Sequence, residues 1–168
     1  MIPTIILIIS FILDGLLTNF LPYLVNDLSL FTPLLTLVSI FMIYPFYKKK
    51  ETKYYNILFI LGILYDLFYT NLLFFNSILF ITIGIITKYI YKNFEINYLK
   101  LIIYIILIIT IYETLTGIII LIFDLVPITL ERLIYKITHS ILLNVIYSEI
   151  IYLIIKKLPK KYKKISIN

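Results

Sequence analysis

The chain has 168 residues, of which 62% are hydrophobic and 14% charged, and its mean hydropathy is +1.05. A soluble domain has roughly half its residues apolar and about a quarter charged, so the composition predicts an integral membrane protein. The absence of Cys excludes disulfides and thiolate chemistry. We interpret the net charge of +6 as a topology signal with an attraction to anionic lipid, and not as a nucleic-acid surface.

Six apolar runs approach the length of about 20 residues that a spanning helix needs. In chain order they are residues 2–23, 31–47, 54–72, 75–92, 98–123 and 130–155. Pro33 suits the first turn of the second helix, and Thr32 is predicted to cap it. The sequence therefore predicts an all-α protein of about six transmembrane helices, with one polytopic domain over residues 1–155 and a basic cytoplasmic tail over residues 156–168.

The boundary between the third and fourth helices lies in "YTNLLFFNS", which must hold a tight turn in an apolar setting. Asn71 suits the bend, because Asn tolerates turn conformations. Either Asn76 or Ser77 is predicted to cap the fourth helix.

The basic residues predict the orientation of the helices. Thirteen of the fifteen fall on one side of the six runs, namely Lys48, Lys49, Lys50, Lys53, Lys88, Lys92, Lys100, Lys156, Lys157, Lys160, Lys161, Lys163 and Lys164. By the positive-inside rule that side is the cytoplasm, so both termini are predicted to be cytoplasmic. Arg132 and Lys136 remain near the outer start of the sixth helix, where long side chains can reach the interface.

Four carboxylates fall inside the predicted spans: Asp14, Asp66, Glu113 and Glu149. An Asp at a helix centre costs about 2.5 to 3.5 kcal/mol on insertion scales, so each must face protein, water or a partner. Small or polar residues recur at helical spacing around three of them and along the sixth helix, in the stripes Ser10/Asp14/Thr18, Gly62/Asp66/Thr70, Thr110/Glu113/Gly117 and Ser140/Asn144/Ser148. Such stripes are typical of helix packing in lipid.

Two functional interpretations of the carboxylates compete with packing. A mid-membrane carboxylate can carry a proton or bind a cation in a transporter, but no paired, Gly- or Pro-broken segments support this. Tyr65-Asp66 matches the first motif of membrane aspartyl proteases, but their second motif, Gly-x-Gly-Asp, is missing. His139 has no second His at metal-ligand spacing, so no catalytic residue, metal site or cofactor is predicted.

Tyr residues cluster where the predicted spans meet the cytoplasmic interface. An aromatic belt is predicted there, made of Tyr44, Tyr47, Tyr54, Tyr55, Tyr89, Tyr91 and Tyr98.

The segment "LGILYDLFYTNLLFFNSILFITIG", residues 61–84, carries a more specific pattern. Its members are Gly62, Asp66, Asn76, Ser77 and Gly84. The pattern resembles the MreD family of rod shape-determining membrane proteins, in which a Gly-x-x-x-Asp helix is followed by a short turn, an Asn-Ser or similar pair and a further glycine. The length, the number of spans, a bend near Tyr44-Pro45 and the Lys-rich tail are also similar. Many members have glycine two residues before the Asn, where this sequence has Phe74.

The resemblance implies a non-enzymatic scaffold of the cell-elongation complex in the bacterial cytoplasmic membrane, supporting cell shape and lateral peptidoglycan synthesis. The implied partners are an MreC-like protein, the elongation transpeptidase, RodA, MreB and RodZ, in addition to the lipid bilayer. The implied fold is similar to that of the substrate-binding subunits of energy-coupling-factor transporters.

Candidate structural or partner-contact residues are Gly62, Asp66, Asn76, Ser77, Gly84, Asp14, Glu113 and Glu149. Asp66 is expected to hold the turn between the third and fourth helices, or to accept hydrogen bonds from a partner's helix.

The related transporter subunits supply the alternative function, the binding of a vitamin for an energy-coupling-factor transporter. Many of these subunits dock through an Ala-x-x-x-Ala face on the first helix, and this sequence has no Ala. It also lacks the Trp or the cluster of His residues expected for several of their ligands. The scaffold is therefore the preferred interpretation.

Overall fold

The computed structural model describes residues 2–24, 32–70, 72–123 and 129–157, without the side chains of residues 21–24. These residues form six helices, α1 (Ile2–Leu24), α2 (Leu35–Tyr47), α3 (Glu51–Tyr69), α4 (Phe75–Asn93), α5 (Tyr98–Ile122) and α6 (Leu130–Lys157). The all-α prediction is confirmed, and each predicted run coincides with one helix. The largest differences are at α2, which begins four residues later than predicted, and at α3, which begins three residues earlier and also ends earlier.

The helix caps predicted from local sequence are wrong. The residue that precedes α2 is Leu34, and that preceding α4 is Phe74; neither side chain makes a capping hydrogen bond. Thr32 lies outside α2, while Asn76 and Ser77 lie within the first turn of α4. Asn71, Pro127, Pro159 and the tail beyond Lys157 lie outside the described residues. The groups that replace the predicted caps belong to other helices, as described below.

Helix α2 is the centre of the bundle. Eleven of its thirteen residues are buried, and it contacts all five other helices. A helix that is apolar all round is expected to be enclosed on all sides. Its 13 residues extend about 20 Å at 1.5 Å per residue. The neighbouring helices separate it from lipid.

The other helices pack largely as sequence neighbours, with close pairs α3–α4 and α5–α6. Large apolar side chains face outward over much of the surface, for example along one side of α1 at Ile5, Ile8, Ile9, Ile12, Leu16 and Phe20. Three of the described helices contain stretches that are long and apolar enough to cross a membrane, namely Ile2–Phe20, Tyr98–Ile122 and Leu130–Lys157. These features fit a multi-pass membrane protein.

The predicted aromatic belt is only partly present. Tyr89 and Tyr98 are exposed, but Tyr44, Tyr47 and Tyr54 are buried between helices. The Tyr54 hydroxyl donates a hydrogen bond to the carbonyl oxygen of Ile40 at 3.0 Å. The prediction is wrong for these three residues because their rings pack between helices. Tyr44 and Tyr47 of α2 contact Tyr54 of α3, and Tyr44 also contacts Tyr91 of α4.

Candidate functional site

Asp66 binds the first turn of the helix that follows its own. Its two carboxylate oxygens accept the backbone N–H of Asn76 at 3.0 and 3.1 Å. One of them also accepts Nδ2 of Asn76 at 2.8 Å and the Thr70 hydroxyl at 3.0 Å. Asn76 is the second residue of α4. The Asp66 side chain, which belongs to α3, therefore acts as the N-cap of α4.

This geometry explains why so apolar a segment keeps a carboxylate. The first N–H groups of a helix have no partner within the helix, and the helix dipole leaves partial positive charge there. Hydrocarbon offers no water to satisfy them. Asp66, only 1% exposed, supplies both the acceptor and the negative charge.

Tyr112 extends this arrangement to a third helix. Its hydroxyl donates a hydrogen bond to Oδ1 of Asn76 at 2.7 Å, so Asn76 connects Asp66 on α3 to Tyr112 on α5. Tyr112 is not among the residues predicted from the sequence, because its partner lies 36 residues away. No local spacing signals such a contact.

The glycines of the 61–84 segment mark close helix packing. A Cβ added at Gly62 would lie 2.5 Å from the backbone nitrogen of Ser77, and one at Gly84 would lie 2.5 Å from Cδ1 of Leu58. Ser77 donates its hydroxyl to the carbonyl oxygen of Phe59 at 3.2 Å. Together with Asp66 and Asn76, all five members of the pattern lie at the contact between α3 and α4.

Phe74 is the residue where the chain departs from the family pattern. Its φ is 66° and its ψ 0°, the left-handed conformation, which favours glycine because a Cβ is crowded there. It is the only non-glycine residue with positive φ among the described residues. The turn therefore keeps the conformation that glycine would adopt more easily.

Asp14 repeats the arrangement of Asp66 in the first helix pair. Its carboxylate accepts the backbone N–H of Leu35 at 2.7 Å and that of Thr36 at 2.9 Å, and its exposure is 1%. It thereby caps α2 from α1, which is why the predicted Thr32 cap is not used. The stripes Ser10/Asp14/Thr18 and Gly62/Asp66/Thr70 thus place equivalent carboxylates in two successive hairpins.

The polar stripe of α6 holds the segment that leads into α2. Asn144 accepts the backbone N–H of Leu34 at 2.8 Å and donates to the carbonyl oxygen of Thr32 at 2.9 Å. Its neighbours on the stripe, Ser140 and Ser148, are also fully buried. The stripe is therefore a packing surface, as predicted.

A second polar contact joins α6 to α1 and α2. The Ser10 hydroxyl is hydrogen-bonded to the hydroxyls of Ser39 and Tyr147, the latter at 2.7 Å. Three helices thus meet through three hydroxyl groups.

Glu113 and Glu149 stand apart from the two capping carboxylates. Glu113 on α5 is 1% exposed, and Nζ of Lys136 on α6 approaches its Oε2 to 2.8 Å. Glu149 is half-buried on α6, beside Tyr98. Lys136, predicted to reach toward the outer interface, is thus also the ion-pair partner of Glu113.

Among the described buried carboxylates, Asp14 and Asp66 are held at two helix ends and Glu113 is held in an ion pair. The oxygens of Asp14 and Asp66 are engaged at different helix ends, so the two do not form a shared-proton pair of the kind used in proteolysis. In the described part of the chain no three potential metal ligands come together. The gap beside Asp14, Tyr65 and Tyr112 is too narrow to hold a water molecule, so it is not a pocket for a small molecule.

The comparisons with known proteins agree with the pattern in residues 61–84. A family model described as rod shape-determining protein MreD matches residues 1–162. The chain belongs to the MreD family. No curated protein and no solved structure matches it. Membership in MreD identifies a protein of rod-shape determination, and the structure shows that the MreD-like pattern forms the α3–α4 contact.

Proposed function

We propose that the chain is a non-enzymatic scaffold of the cell-elongation complex, which supports cell shape and lateral peptidoglycan synthesis. The observation that carries the proposal is the match of the MreD family model to residues 1–162. The interior supports it, because the buried side chains of Asp14, Asp66 and Asn144 bind helix starts of the chain itself. Function is then left to the outer faces of the helices.

We propose that all six helices cross the bacterial cytoplasmic membrane. Helices α3 and α4 have 19 residues each, and at 1.5 Å per residue they extend about 28 Å, close to the hydrocarbon thickness of about 30 Å. The described basic residues support a cytoplasmic position for one end of the bundle: Lys48, Lys49, Lys50, Lys53, Lys88, Lys92, Lys100, Lys156 and Lys157 all lie at or near helix ends that share this side. Both termini are then cytoplasmic.

The partners we propose are an MreC-like protein, the elongation transpeptidase, RodA, MreB and RodZ. The described connections are short, with residues 48–50 between α2 and α3 and residues 94–97 between α4 and α5. Contacts with these partners are therefore assigned to helix faces and short loops.

We also propose that the fold is similar to that of the substrate-binding subunits of energy-coupling-factor transporters, on the family resemblance. Transport itself is not proposed, because no observation favours it. The interior gap beside Asp14 is too narrow for a vitamin.

Controlled depletion of this protein in its own host tests the proposed role. Loss of the protein should convert rods into rounded cells, and a plasmid copy should restore rod shape. Fluorescent D-amino acid labelling should show lateral wall synthesis falling before septal synthesis does. Rods that elongate normally after complete depletion would contradict the proposal.

A further inference from the structure

A groove between α3 and α4 lies at the end of the bundle where the basic residues collect. It has a volume of about 510 Å³ and is lined by Tyr55, Ile81, Ile85, Lys88, Tyr89 and Lys92. The groove is open to the outside and lies far along α4 from Asn76. It is therefore distinct from the Asp66 contact.

The lining changes from apolar to cationic along α4. Ile81 and Ile85 are one helical turn apart, and Lys88 and Lys92 follow on the same side of the helix at the same spacing. Ile85 is 55% exposed. Seven residues separate Ile85 from Lys92, a rise of about 10 Å, so the groove has an apolar wall ending at an ammonium group near the proposed membrane surface.

The groove carries one uncompensated positive charge. Nζ of Lys88 pairs with Oε2 of Glu51 at 2.5 Å. Lys92 is exposed and has no carboxylate partner among the described residues. Tyr55 and Tyr89 add hydroxyl groups to the lining, and these can donate hydrogen bonds to an anion.

We propose that this groove binds one anionic phospholipid, with its phosphate at Lys92 and an acyl chain along Ile81 and Ile85. The occupant is inferred from charge and shape: a phosphodiester matches the single free positive charge, and an acyl chain matches the exposed Ile side chains. A zwitterionic headgroup would bring its own cation toward Lys88 and Lys92, so phosphatidylglycerol should bind better than phosphatidylcholine.

Native mass spectrometry of the full-length, delipidated protein in detergent tests this inference. Phosphatidylglycerol and phosphatidylcholine of equal chain length are added in competition, and bound lipid is counted. The wild-type protein should retain one phosphatidylglycerol in preference. Lys92→Gln should weaken that retention about fivefold, the ratio expected for one basic group near an anionic surface. Lys100→Gln, which removes another exposed Lys that lies outside the groove, should leave retention unchanged.

A second variant tests the apolar wall without changing the charge. Ile85→Asn should also reduce retention of phosphatidylglycerol, and far-UV circular dichroism should show that both variants keep their helices. Equal losses in the Lys92 and Lys100 variants would overturn the proposal in favour of diffuse attraction. No preference for the anionic lipid, or unchanged retention in Ile85→Asn, would also overturn it. The outcome does not depend on the proposed scaffold role, because no partner protein is present.

Discussion

Replacing Asp66 by Ala removes the acceptor for three donors at the turn between α3 and α4. They are the backbone N–H and Nδ2 of Asn76 and the hydroxyl of Thr70. Loss of a side-chain cap costs about 0.5 to 2 kcal/mol and typically about 1 kcal/mol. The Nδ2 group of Asn76 is buried, and an unsatisfied buried donor costs about 1 to 3 kcal/mol. We expect Asp66→Ala to lower the free energy of unfolding by about 3 kcal/mol.

Asp66→Asn should lower the free energy of unfolding by about half as much. The Asn side chain keeps one acceptor oxygen, but it loses the negative charge and places its own NH2 donor beside the donors of Asn76 and Thr70. The measurement is unfolding by dodecyl sulfate in mixed micelles, followed by far-UV circular dichroism since the chain has no Trp. Glu95→Ala provides the matched control, because Glu95 is exposed between α4 and α5 and should not change stability.

A loss of less than about 1 kcal/mol in Asp66→Ala, below the combined lower limits for the cap and the unsatisfied buried donor, would refute this reasoning. So would equal effects of Asp66→Ala and Glu95→Ala. Either result would mean that the α3–α4 contact does not depend on the carboxylate.

The other predictions concern packing, the turn and the ion pair. Gly62→Ala should destabilise the protein by about 2 kcal/mol, because its Cβ would meet the backbone of Ser77; wild-type stability would contradict the close contact. Phe74→Gly should be about 1 kcal/mol more stable than Phe74→Ala, since both lose the ring but only glycine tolerates positive φ freely; equal stability would contradict the left-handed turn. A double-mutant cycle with Glu113→Gln and Lys136→Met should give a coupling of about 1 kcal/mol between these residues, and additive effects would contradict the ion pair. All three use the same unfolding assay.

The sequence allowed the helices to be predicted closely, because long apolar runs bounded by Lys and Pro report directly on burial in lipid. It also indicated that Asp14 and Asp66 face away from lipid, toward protein, water or a partner, since an unpartnered carboxylate in such a run is costly. The partners of these two residues could not be predicted. When the capping side chain belongs to a neighbouring helix, the local sequence at the helix start does not indicate it. Only local residues such as Thr32 or Asn76 can then be predicted as caps.

The same limit applies to contacts between distant helices. Glu113 and Lys136 were each noted for separate reasons, but their pairing depends on how α5 packs against α6. The contact of Tyr112 with Asn76 also follows from packing alone. Buried Tyr44 and Tyr54 were predicted to lie at a lipid interface, because a Tyr near a span end has the same sequence pattern whether it faces lipid or another helix.

Affinity purification from the host's own membranes tests the scaffold proposal most directly. The tagged protein is extracted in mild detergent, and the proteins that accompany it are identified by mass spectrometry against an untagged control. The scaffold proposal predicts recovery of an MreC-like protein or the elongation transpeptidase. Recovery of paired ATPases with a membrane coupling subunit, and of no elongation protein, would contradict it and identify a transporter component instead.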